Sequence, residues 1–252
     1  MNSSFKQAIS KVPEVTLVFW VIKIIATTLG ETGGDALSMS LGLGYLVSSI
    51  VFGVLFLMIV FAQVKARRFR PTLYWGTIIA TTTLGTTLAD FADRSLGIGY
   101  AGGSSVLFIL LIVSLLSWHR VMGSIAIEDI KTPGAEIFYW VTIMFSQTLG
   151  TALGDWSADT LALGYLGAAL VFGGLLMVVI LAHFWTNLSK TILFWTAFVL
   201  TRPLGAVLGD YLDKPISHGG LELSRYSASA VLLSLILILI WMFPSRAAKK
   251  SH

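Results

Sequence analysis

Cysteine is absent from the 252 residues, which excludes disulfides, thiolate metal sites and thiol catalysis. Charge is scarce as well: Asp, Glu, Lys and Arg make up 12% of the chain, against 56% hydrophobic residues and a mean hydropathy of +0.83. A soluble globular domain carries about a quarter charged residues, so this composition is that of a membrane protein. No nucleotide-binding motif is present, which argues against an ATP-driven pump within one chain. The first apolar run lacks an Ala-x-Ala-like cleavage site and carries Lys23, so it is expected to remain in the mature protein. The net charge of +4 is modest; topology accounts for it, and no nucleic-acid partner is expected.

The few acids that are present are not scattered. Leu-Gly followed by an aspartate five residues after the glycine occurs at Leu29-Gly30 to Asp35, Leu84-Gly85 to Asp90, Leu149-Gly150 to Asp155 and Leu204-Gly205 to Asp210. A second acid stands three or four residues from each aspartate: Glu31, Asp93, Asp159 and Asp213 respectively. Four equivalent pairs therefore hold most of the chain's 13 acidic residues.

The motif glycines divide the chain into two halves of two units. Units one and three are the closest pair, sharing Thr-Leu-Gly at Thr28 and Thr148, Leu-Gly-Tyr-Leu at Leu43 and Leu163, and Val-Phe-Gly at Val51 and Val171. Such duplication is the usual origin of transporter folds. Continuous apolar runs long enough for about 30 Å of hydrocarbon point to helices. The expected fold class is an all-α integral membrane protein with eight transmembrane helices, at roughly 14–31, 42–64, 71–90, 97–118, 134–153, 161–185, 189–209 and 225–243. These form four tandem helical hairpins with pseudo-fourfold, two-by-two internal symmetry, in a single transmembrane domain over 1–252 with repeats 11–70, 71–120, 132–186 and 187–243. Pro13, Pro71 and Pro133 stand at the starts of odd-numbered spans, where a missing N–H costs little. An even number of spans per unit makes the repeats parallel, about an axis along the membrane normal.

Loop charges orient the bundle. Lys6, Lys11, Lys65, Arg67, Arg68, Arg70, Arg120, Lys131, Lys190, Arg246, Lys249 and Lys250 fall at the termini and between units, whereas Lys23, Arg94, Arg202, Lys214 and Arg225 lie elsewhere. By the positive-inside rule both termini are expected in the cytoplasm of a bacterial cell, with the acidic motifs toward the outer side of the inner membrane.

Residues three or four apart share a helix face, so each pair presents two carboxylates in one direction. Four pairs about an axis make an oxygen-lined metal site from Glu31, Asp35, Asp90, Asp93, Asp155, Asp159, Asp210 and Asp213. The plainer reading places the same acids in wet turns at the outer interface; turns give no reason to repeat two acids four times. Carboxylates with the nearby hydroxyls of Thr27, Thr28, Ser38, Thr82 and Thr83 suit calcium, magnesium or manganese. No histidine lies in any motif, and His218 reads as a loop residue. Lys23 falls mid-span, and Arg202 takes the position held by Thr27, Thr82 and Gln147 in the other units. Each is either a built-in counter-charge to the acids, part of a gate, or a structural ion pair or snorkelling cation. Arg202-Pro203 predicts a kink in the seventh span. Trp20, Trp75, Trp140 and Trp195 each precede their motif glycine by ten residues and read as packing or bilayer anchors.

Over its whole length the chain resembles a bacterial family of small multi-pass proteins described as membrane-anchored, a description that implies no activity. The stretch Glu31-Thr32-Gly33-Gly34-Asp35-Ala36-Leu37-Ser38 also resembles, distantly, the Glu-x-Gly-Asp-Lys-Ser/Thr signature of manganese and calcium cation/proton exchangers. It differs by one extra residue and by the missing basic residue after Asp35; the likeness implies acidic metal coordination. The expected function is secondary transport, as an exporter of a divalent metal cation such as manganese, with protons as counter-ions and no resident cofactor. The partners are then the lipid bilayer, the divalent cation and protons. The alternative is a membrane scaffold or sensor with an acidic cation-binding outer rim. An intramembrane hydrolase is disfavoured, because no nucleophile and base stand out and a catalytic centre is seldom repeated four times.

Overall fold

A computed structural model describes residues 10–248; Lys6, Lys249 and Lys250 lie outside the described residues. The described residues are all-helical, with eight long helices among them: α1 (Leu17–Asp35), α2 (Gly44–Lys65), α3 (Pro71–Asp90), α4 (Tyr100–Met122), α5 (Pro133–Asp155), α6 (Gly164–Trp185), α7 (Lys190–Asp213) and α8 (Arg225–Met242). Their starts follow local chemistry. Thr16 and Thr132 cap α1 and α5 by accepting from the backbone N–H three residues on, and Pro71 and Pro133 occupy first-turn positions. Six of the eight are long and apolar enough to cross a membrane; α3 and α5 are not among them. Both carry threonine and glycine, and α5 glutamine as well, on the buried faces they turn to neighbouring helices, which lowers their hydropathy.

The odd-numbered helices form the inner ring. α1 packs on α3, α3 on α5, α5 on α7, and α7 closes back on α1. The even-numbered helices lie outside it and carry exposed apolar side chains such as Leu57, Phe61, Phe108, Leu170, Phe184 and Trp241, the inverted surface expected against lipid. Their packing departs from a simple hairpin arrangement. α2 packs on α3 rather than on α1, α4 on α5, α6 on α7, and α8 on α1, so each outer helix covers the inner helix of the following repeat. Turn geometry sets this hand-over. α1, α3 and α5 each run into a five-residue π turn (Ala36–Ser40, Phe91–Ser95, Trp156–Thr160), and a left-handed residue pair at Gly42 and Gly44, Gly97 and Gly99, or Ala162 and Gly164 then redirects the chain.

Close approach in the ring is set by the motif glycines. Each meets the side chain three residues before the next unit's glycine: Gly30 against Thr82, Gly85 against Gln147, Gly150 against Arg202 and Gly205 against Thr27. This cyclic contact is the packing expression of the repeat. A Cβ on Gly85 would lie 2.9 Å from the backbone carbon of Gln147 and 3.0 Å from the nitrogen of Thr148, atoms that cannot move without shifting α5. Gly76, in the same helix, has open space around it. Gly85→Ala is expected to destabilise by about 1–3 kcal/mol, whereas Gly76→Ala stabilises by up to about 1 kcal/mol through helix propensity. Thermal unfolding of the two variants in detergent checks this, and equal effects would remove the steric account.

Toward the other end of the inner helices an aromatic belt repeats the same cyclic order. Phe19 meets Trp75 (5.4 Å between ring centroids), Tyr74 meets Trp140 (5.7 Å), Tyr139 meets Trp195 (6.1 Å) and Phe194 meets Trp20 (5.7 Å). The Tyr74 and Tyr139 hydroxyls share a hydrogen bond of 2.6 Å inside it. The repeating tryptophans are thus packing groups. Beneath the belt residues 12–14 pair with residues 246–248: Glu14 N–H donates to Arg246 O and Ala248 N–H to Val12 O, both at 2.9 Å. Lys11 Nζ pairs with buried Glu136 at 2.5 Å and donates to Val64 O and Ala66 O at the end of α2. α7 runs unbroken through Pro203, where the fourfold ring supplies the support that a lone helix lacks at an internal proline.

Candidate functional site

Residues four apart along the inner helices line the axis of the ring, and the fourfold register stacks them in layers. The outermost layer, five residues after each glycine, is Asp35, Asp90, Asp155 and Asp210, all buried, the first three as the last residues of their helices and Asp210 in the last turn of α7. Four buried carboxylates demand compensation, and two cations provide it in matching fashion. Arg94 bonds Asp90 of its own unit (Nε to Oδ1, 2.8 Å) and Asp155 of the next (Nη2 to Oδ2, 3.3 Å). Lys214 bonds Asp210 of its own unit (Nζ to Oδ1, 3.1 Å) and Asp35 of the next (Nζ to Oδ2, 2.5 Å). Both cations stand four residues after their own aspartate, in units two and four, so this layer is two-fold rather than four-fold in charge. Four aspartates against two cations leave a formal charge of −2.

One turn deeper lie Glu31, Thr86, Thr151 and Ala206, the residues that follow the glycines. Arg202 reaches up into this layer from α7 and touches all three other inner helices, which places its guanidinium on the axis. Nη2 donates to Glu31 Oε2 (3.0 Å), to Thr86 Oγ1 (2.6 Å) and to Thr151 Oγ1, and Nη1 donates to Thr27 O (3.4 Å). Glu31, Asp35 and Asp210 converge: one carboxylate oxygen from each lies within 4.8 Å of the others. These three come from α1 and α7, where the last unit closes on the first.

The eight acids singled out in the sequence therefore separate. Glu31, Asp35, Asp90, Asp155 and Asp210 line the axis. Asp213 turns aside to Arg225 (2.9 Å), whose guanidinium also lies 3.8 Å from Asp35. Asp93 lies against Gly103 of α4, and Asp159 is exposed. The second acid of units two to four sits beyond the end of its inner helix or in its last turn, so it no longer follows the face that its spacing implies. Of the hydroxyls, Thr27 donates to Ile24 O and Thr201 O, Thr28 to Ile24 O, Ser38 to Gly34 O and Thr83 to Ile79 O, which commits their protons to backbone. His218 is exposed in the turn Ile216–His218. Arg202 is a counter-charge to an acid; Lys23 is not, its ammonium lying over the Phe198 ring at 4.2 Å.

Sequence reasoning missed Arg94, Lys214 and Arg225 as members of the site. A signal was present: with Lys23 and Arg202 they are the five cations that break the positive-inside pattern, and all five are in or beside the axial column.

No curated protein and no solved structure matches this chain. A family model does, four times over, at residues 18–69, 73–124, 138–189 and 193–247, each match running from an inner helix through the outer helix that follows it. Together these matches span most of the chain, which therefore belongs to the family described as Repeat of Unknown Function (DUF347).

Proposed function

We propose that this chain is a secondary transporter of a divalent cation, with protons as counter-ions, lying in the bacterial inner membrane as eight spans with both termini cytoplasmic. The observation that carries this reading is the approach of Glu31, Asp35 and Asp210 within 4.8 Å, where Glu31 meets from below the aspartate layer of formal charge −2. One divalent ion cancels that charge; a monovalent ion does not. Carboxylate oxygens without thiol or imidazole favour a hard ion such as manganese, in keeping with the likeness of the first motif to the exchanger signature. In this reading Lys214 holds Asp35 and Asp210 in the absence of cargo and is displaced when it enters. Protonation of the acids then provides the route for release. No step requires an enzyme's nucleophile.

One observation favours a scaffold or sensor instead: the axial carboxylates already have tethered partners, as a static ion-pair network would. Flux separates the two. In proteoliposomes loaded with a manganese-quenched dye, the intact chain is expected to carry manganese faster than protein-free vesicles. Asp35→Asn should cut the rate at least tenfold, while Asp159→Asn, altering an exposed acid, changes it less than twofold. A folded chain that moves no more manganese, magnesium or calcium than empty vesicles would overturn transport.

A further inference from the structure

Between the Arg202 guanidinium and the aromatic belt the axial column contains polar atoms that the chain itself leaves unsatisfied. Lys23 Nζ, Arg202 Nε, Thr82 Oγ1, Ser146 Oγ and both amide atoms of Gln147 are buried without a hydrogen-bond partner among the described residues. The five side chains are fully enclosed. Thr82, Gln147 and Arg202 share a level, three residues before their glycines; Ser146 adjoins Gln147, and Lys23 lies one turn below, about 5 Å along the axis. Buried polar groups are nearly always paired, by protein or by something bound, so this concentration within two adjacent layers marks a place for a ligand.

Its chemistry is that of an acceptor. An ammonium offers three donors and no acceptor, Arg202 Nε offers one donor, and the Gln147 amide offers two beside one acceptor oxygen, so donors outnumber acceptors among these groups. The Phe198 face beneath Lys23 attracts its charge but leaves its N–H groups free. Glu31 is the one carboxylate bonded to this group among the described residues, and it is taken by Arg202 and Thr86. Lys23 and Arg202 against Glu31 leave a formal charge of +1, opposite in sign to the aspartate layer above.

We infer that this level of the column is an anion site, taking one small monovalent anion of halide size between Lys23 Nζ, Arg202 Nε, the Gln147 amide and the Thr82 hydroxyl. Water satisfies donors but leaves the positive charge uncompensated in the interior; a halide does both. The site goes beyond cation transport and does not depend on it, since it uses none of the aspartates.

The test uses purified full-length protein in detergent with EDTA present, so that no divalent cation contributes. Thermal unfolding is followed while chloride replaces gluconate at constant ionic strength, and crystals grown in bromide are measured at the bromine absorption edge. The melting temperature is expected to rise saturably with chloride, and one anomalous peak should lie between Lys23 and Gln147. Lys23→Met should abolish the chloride dependence; Gln147→Leu, which keeps the cations, should shift the half-saturating concentration upward at least threefold. A melting temperature indifferent to chloride, or a dependence unchanged in both variants, overturns the site. So does a bromide map with no peak at this level. Because manganese plays no part, a failure here leaves the flux result standing, and the reverse holds too.

Discussion

Arg202→Met is expected to destabilise the protein by about 3–5 kcal/mol, and adding Glu31→Gln to the same chain is expected to restore at least half of that loss. The first figure is the usual consequence of stranding one member of a buried ion pair. Arg202 is fully enclosed and Glu31 nearly so, and without the guanidinium the carboxylate keeps, among the described residues, the Thr86 hydroxyl at 3.2 Å. Arg202 also bridges α7 to α1, α3 and α5, so the substitution removes the one group that ties the whole inner ring together at this height. Glutamine in place of Glu31 removes the stranded charge while keeping the shape and a hydrogen bond to Thr86. The double-mutant cycle therefore reports a coupling of about 2 kcal/mol or more. Chemical unfolding in detergent micelles of the wild type, both singles and the double measures it. Additive single effects would show that Arg202 acts through packing alone, with Glu31 a bystander.

Much of the architecture was legible in the sequence, for reasons that also explain what was not. Helix positions followed from apolar run length, from Pro71 and Pro133 at N-terminal turns and from the motif aspartates at C-terminal ends. The repeat was explicit in glycine and tryptophan spacing, and with it the convergence of Asp35, Asp90, Asp155 and Asp210, since equal register on four parallel helices puts equal residues at equal height. Neighbour choice was not legible. Nothing in the apolar face of α2 distinguishes α3 from α1 as its partner; the decision lies in the π turn and the left-handed pair Gly42 and Gly44, whose direction is a backbone property. Hydropathy alone marks six of the eight helices as apolar enough to cross a membrane; α3 and α5 were placed instead by Pro71, Pro133 and the repeat spacing, which agree with their observed bounds. For the site, spacing identified the acids but not their fates. Asp90 to Arg94 and Asp210 to Lys214 is a four-residue pairing visible in the sequence. That each cation also reaches the next unit's aspartate required the ring.

The same pairing leads to the prediction with the largest functional effect. Lys214→Gln is expected to bind manganese at least tenfold more tightly than the wild type and to transport it more slowly. The Lys214 ammonium lies 2.5 Å from Asp35 and 3.1 Å from Asp210, two of the three acids whose oxygens converge. A divalent ion bound by those oxygens meets the ammonium as a like charge. At an effective dielectric of about 20, two unit charges 4 Å apart interact by about 4 kcal/mol, well above the roughly 1.4 kcal/mol that corresponds to a tenfold change in affinity. Removing the lysine deepens the formal charge of the layer from −2 to −3 and removes the competitor, so affinity rises. It also removes the group whose return expels the ion, so turnover falls. Arg94→Gln supplies the internal comparison. It frees Asp90 and Asp155 in the same way, but the deeper acid of the converging set, Glu31, belongs with Asp35 and Asp210, so its gain in manganese affinity should be smaller. Isothermal titration with manganese on the folded variants, beside the vesicle flux assay, gives both quantities. Should Lys214→Gln bind manganese no better than the wild type, the ammonium is a structural tie and not a stand-in for cargo, and the axial carboxylates lose their claim to be a cation path.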